Sequence, residues 1–83
     1  MGADEMFKRL RYKKIIHKPY YSFYYKTIDD KKEENEMNSY HIEFDFANKK
    51  ITKTYGDDNT VADITIEELE AIYKKCKELR WLK

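Results

Sequence analysis

The residues best placed to do chemistry are His41, Glu43 and Asp45, which recur at every second position. Alternate residues of a strand share a face, and a His-x-Glu pair offers two ligand types that a divalent metal accepts. The spacing argues against one shared ion, because His41 and Asp45 stand about 13 Å apart along an extended chain. His17 is the only other histidine and Cys76 the only cysteine, and neither is a neighbour in sequence. The set therefore reads as a solvated sheet face with cross-strand charge pairs, and neither a metal nor another cofactor is expected.

Covalent catalysis has less to work with. Ser22 and Ser39 lie within or at the start of strand-like segments and lack a nucleophile-elbow setting. Gly2 and Gly56 are the only glycines, so there is no Gly-rich phosphate loop. The paired carboxylates Glu33-Glu34 and Asp57-Asp58 fall in polar loops without an apolar setting to shift a pKa. The expectation is a protein that is not an enzyme and works by binding.

Two surfaces are candidates for that binding. Lys8, Arg9, Arg11, Lys13 and Lys14 crowd into a segment where no acid falls between Met6 and Ile28. Such bases can meet phosphate while Tyr12, Tyr20 or Tyr24 stacks on bases, so nucleic acid is one partner class. The net charge of only +1, with 40% of residues charged, is not the overall basic excess of many nucleic-acid binders. The second surface is aromatic. In YYSFYYKTI the expected strand places Tyr21, Phe23 and Tyr25 on the core side and Tyr20, Tyr24 and Lys26 on the outer side. Together with Trp81 these outer residues form a candidate protein interface, since large aromatics in a charged surround are enriched at contact surfaces. A protein partner is favoured, and a homodimer through the apolar tail or an open sheet edge fits either reading.

The elements that must position these residues follow from periodicity. TIEELEAIYKKCKELR, residues 65–80, is an amphipathic helix. Thr65 and Glu68 spell a capping box, Ile64 and Leu69 a hydrophobic staple, and acids precede bases along the dipole. Leu69, Ile72, Tyr73, Cys76 and Leu79 form its expected apolar stripe. Trp81 does not fit that stripe, so the tail folds back near Arg80 or leaves Trp81 exposed as an anchor. Residues 39–47 alternate Tyr40, Ile42, Phe44 and Phe46 inward with His41, Glu43 and Asp45 outward. A tight turn with Asn48 at positive φ leads into a paired strand over 51–55, which places Ile51, Lys53 and Tyr55 on one face. Residues 7–18 fit a helix period (Phe7 with Leu10, or Tyr12 with Ile15 and Ile16) as well as a strand period and end at Pro19 either way; an edge strand over 10–17, guarded by lysines, is favoured. Residues 1–5 or 6 read as a disordered start, 29–38 as a charged loop, and 56–59 as a second loop.

The fold expected is one small α+β domain over residues 1–83: an antiparallel β-meander of three to four strands with one C-terminal amphipathic helix packed on one face. A single cysteine gives no internal disulfide, and Cys76 on the stripe should act as a small hydrophobe. No apolar run approaches the length of a membrane span and no signal-peptide core is visible, so a cytoplasmic protein without a membrane partner is expected. In general character (tiny, tyrosine-rich, without a catalytic signature) the chain resembles the small accessory proteins of phages and mobile elements. That resemblance implies an inhibitor or adaptor that binds and blocks a host protein, such as a CRISPR or other defence nuclease.

Overall fold

The alternating segments pair as a ladder of consecutive neighbours. The computed structural model describes residues 1–17, 21–27, 39–56 and 60–82. Their order is α1 (Ala3–Arg9), β1 (Lys13–His17), β2 (Tyr21–Thr27), β3 (Ser39–Asp45), β4 (Lys50–Tyr55), β5 (Thr60–Val61) and α2 (Ile66–Glu78). The sheet runs β1-β2-β3-β4-β5, and every pairing is antiparallel. This is the expected meander with its C-terminal helix, extended by a two-residue fifth strand and by a second helix.

Register fixes the two faces of the sheet. Tyr40 pairs with Tyr55, Ile42 with Lys53 and Phe44 with Ile51, while His41, Glu43 and Asp45 pair with Thr54, Thr52 and Lys50. The first set faces the helices, where Ile42 and Phe44 are fully buried with Phe7, Tyr12, Ala71, Ile72 and Cys76. The β3–β4 turn departs from expectation at one residue. Lys49, not Asn48, takes the positive φ of 54°. Asn48 is held by Asp45 instead: Oδ1 accepts from the N–H groups of Ala47 and Asn48, and Oδ2 from the Asn48 amide. Those bonds, the Asn48 amide foremost, hold the Asp45 carboxyl below the usual carboxylate range.

The start of the chain is the larger departure. Residues 3–9 form a helix where a disordered start was expected, and the edge strand begins at Lys13 rather than Leu10. A seven-residue helix is too short to persist alone. It exists because Ala3 and Phe7 are fully buried against the core, and because its first turn is tied to the end of α2. Glu78 Oε2 accepts from the N–H of Ala3 at 2.8 Å, and Asp4 accepts from Lys14 at 2.7 Å. Tyr12, just past its other end, reaches Glu68 in the first turn of α2, so the two helices lie antiparallel.

Both helices end in the same device. In α1 the N–H of Tyr12 bonds the carbonyl of Phe7 and that of Arg11 bonds Lys8; in α2 the N–H of Trp81 bonds Cys76 and that of Arg80 bonds Lys77. These are Schellman motifs, with Arg11 at φ 69° and Arg80 at φ 61° in the left-handed position where glycine is usual. The sequence repeats with the geometry: FKRLRY and CKELRW share Lys, Leu, Arg and a final aromatic. Each final aromatic turns inward. Tyr12 packs edge-on against Phe7, and the Trp81 ring centroid lies 6.2 Å from Phe44 and 6.3 Å from Phe46. Trp81 is therefore half-buried core, which is the fold-back alternative, and not an exposed anchor. An arginine in the left-handed region is strained, so Arg80→Gly is expected to raise stability by roughly 0.5–1 kcal/mol, read as a higher Tm.

Candidate protein interface

α2 starts as its sequence dictates. The Thr65 hydroxyl accepts from the N–H of Glu68 at 3.1 Å, and Glu68 Oε1 accepts from the N–H of Thr65 at 3.0 Å. The face that α2 buries is not the expected one. Glu68, Ala71, Ile72, Lys75 and Cys76 are buried, whereas Leu69 and Tyr73 are exposed. The helix is rotated by roughly 70° from the orientation its apolar stripe alone implies.

A polar cluster inside the domain accounts for the rotation. Glu68 is fully buried, and three donors converge on it: Lys53 Nζ at 2.6 Å, the Tyr12 hydroxyl at 2.5 Å and the Thr65 N–H. Lys53, also buried, donates further to the carbonyl of Asp63 at 2.7 Å and lies 4.6 Å from the Tyr40 ring centroid. Burial by itself would raise the Glu68 pKa. The bonds from Lys53, Tyr12 and Thr65, with the Lys53 charge, outweigh it and hold the carboxyl below its ordinary value. Burial, and then the Glu68 carboxylate, push the Tyr12 phenol well above its usual range. An open cavity of about 480 Å³ beside the cluster is lined in part by Tyr40, Lys53, Tyr55, Asp63 and Thr65. The charged atoms at its floor already hold one another, so the cluster is a structural clamp joining the residue after α1 to β4 and α2.

With that side turned inward, a second apolar stripe faces solvent. Ile66, Leu69 and Tyr73 are 69%, 52% and 54% exposed, and Val61 and Ile64, just before the helix, are exposed with them. Spacings of three and four put the helical trio on one side of α2. Lys77 Nζ lies 5.1 Å from the Tyr73 ring centroid. The intended staple is part of this surface, since Ile64 and Leu69 are both exposed.

The sequence-derived candidates scatter. Tyr20 lies outside the described residues, as do the charged segment 29–38, Glu33-Glu34 and Asp57-Asp58. Tyr24 is the register partner of Ile42 and Lys26 that of Tyr40, so both positions are in phase with the helix-covered face, not the outer one. Tyr21, Phe23 and Tyr25 are instead in phase with Asp45, Glu43 and His41. Register therefore exchanges the two faces expected along β2, because aromatics on both sides of a strand give periodicity nothing to choose between. The basic residues divide as well. Lys8 and Arg9 close α1, Arg11 occupies its left-handed cap, and Lys13 and Lys14 open β1. Bases at a helix C-terminus answer the dipole without any ligand, and Lys14 is paired with Asp4.

Cys76 is buried, and burial pushes its thiol pKa up. Among the described residues no three His, Cys, Asp or Glu side chains stand together as a metal site, and no helix is long and apolar enough to cross a membrane.

No protein family, curated protein or solved structure matches this chain. The functional reading therefore rests on its own surface.

Proposed function

We propose that this is a non-catalytic protein-binding module whose contact surface is the outer stripe of α2. One observation carries the reading: Ile66, Leu69 and Tyr73 stand exposed on one side of a rigid helix while the charged groups Glu68 and Lys53 lie inside. Exposed apolar residues gathered on one face mark contact surfaces, and a regular helix presents them in fixed register. The partner that the chain's general character implies is a host protein in the cytoplasm, bound by an inhibitor or adaptor of a phage or mobile element. The basic residues from Lys8 to Lys14 support nucleic-acid binding less well, because helix ending and ion pairing already account for them in part.

The test is affinity capture from a bacterial lysate with wild type and Leu69→Glu, each with and without nuclease. Glutamate is a good helix former and suits the first half of α2, so the variant should keep the wild-type Tm. The expected result is a protein that survives nuclease and is lost with Leu69→Glu. A nuclease-sensitive capture that Leu69→Glu leaves unchanged would transfer the function to the basic residues.

A further inference from the structure

The charges along the exposed stripe have an order that matches their own reverse. At about 100° per residue, Ile66, Glu70, Tyr73 and Lys77 fall within roughly 60° of arc on α2. Glu67 and Glu70 lie in its first half, and Lys74 and Lys77 in its second. Two such helices laid side by side in the same direction set acid against acid and base against base. Laid antiparallel, with a twofold axis beside Tyr73, they bring Glu70 of each copy opposite Lys77 of the other and Tyr73 beside its own equivalent.

We propose that the stripe is covered by a second copy of this chain, α2 against α2 in antiparallel order. The proposal rests on reading the stripe as a protein interface, and it names a second copy, in place of a host protein, as what covers it. A closed twofold contact needs a self-complementary patch, and an acidic-to-basic gradient along one apolar stripe supplies that complementarity. Tyr73 gives the contact its centre, with Leu69 along its edge and Ile66 at each end. Val61 and Ile64, exposed just before the helix, extend it at either end. Lys77 already lies near its own Tyr73 ring, so in the pair the two Lys77 charges stand between a ring of their own chain and a carboxylate of the other. An 83-residue chain has a modest core, and a paired helix adds buried apolar surface to it.

Sedimentation of the full chain over a wide concentration range is the test, with Glu70→Lys, Lys77→Glu and the double exchange. Wild type should sediment as a dimer. Each single exchange sets like charges face to face and should weaken association about tenfold or more. The double exchange rebuilds the pair with its sign reversed and should return association to near the wild-type value, which a parallel or unrelated contact would not do. A wild-type chain that stays monomeric throughout, or a dimer indifferent to the single exchanges, overturns the proposal. The wider reading fails separately. If wild type is monomeric and Leu69→Glu still abolishes capture of a lysate protein, the stripe is an interface for a different partner. If Leu69→Glu changes neither association nor capture, the stripe is not an interface at all.

Discussion

Glu68→Leu is expected to lower folding stability by about 3–5 kcal/mol, the cost of leaving one buried charge without its partner. In the native chain Glu68 satisfies Lys53, Tyr12 and the Thr65 N–H together. Removing it takes the carboxylate away from the Lys53 ammonium, whose side chain is only 5% exposed, and from the Tyr12 hydroxyl in the core. Lys53→Met has a cost of the same order by the opposite route, leaving the buried carboxylate without a countercharge and with only the Tyr12 hydroxyl and the Thr65 N–H as donors. Changing all three groups at once, Glu68→Leu with Lys53→Met and Tyr12→Phe, removes the buried charges and the hydroxyl together, leaves only the Thr65 N–H and the Asp63 carbonyl to find water, and should lie within about 2 kcal/mol of wild type. Urea unfolding followed by the fluorescence of Trp81, packed on Phe44 and Phe46, reads all four proteins. Additive losses would mean that the three side chains act separately.

The same cluster sets a pH dependence with a definite sign. Glu68 has a folded pKa below its ordinary value of 4.5. Its contribution is therefore full above that pH and is lost as pH falls through the lower folded value. Lys53→Met removes the leading cause of the lowering, and burial then raises the carboxyl. That variant should lose less stability than wild type on acidification, since a buried carboxyl without the Lys53 charge gains more by taking a proton.

Phe7→Ala should cost about 3–5 kcal/mol, the range for truncating a fully buried aromatic ring. Phe7 is 0% exposed, and its ring lies edge-on to Tyr12 at 5.8 Å and to Phe44 at 6.1 Å between centroids. For a domain this small that is a large part of the total stability, so the variant should unfold at much lower urea. A loss below about 1 kcal/mol would mean that α1 is not docked as described. Lys8→Ala, on the exposed side of the same helix, is the control and should change stability by less than about 0.5 kcal/mol.

The contrast between Phe7 and Phe44 shows what could be read ahead of the structure. Phe44 belongs to an uninterrupted alternation, and its burial, its face and its partner strand were all legible. Phe7 sits in FKRLRY, where helix and strand periods both fit and where three bases in six residues suggest solvent. Its helix is held in part by residues far along the chain, Phe44 and Glu78 among them, which local pattern cannot report. A local signal was present all the same: the shared Lys-x-Leu-Arg-aromatic ending marks both helix stops.

The candidate interface was missed for a related reason. Hydropathy ranks Leu69 and Tyr73 as core and Glu68 and Lys75 as surface, and the structure reverses each of these. A carboxylate is buried only where donors converge on it, and here they come from residues 12 and 53 as well as from the capping box. The sequence by itself determined the meander through residues 39–55, the capped start of α2 at Thr65 and the absence of familiar catalytic motifs, because each depends on spacings of a few residues. Tertiary structure alone decided which side of α2 faces water, that α1 completes the core and that Trp81 turns inward. Those outcomes depend on which distant groups satisfy one another, and sequence separation carries no record of that.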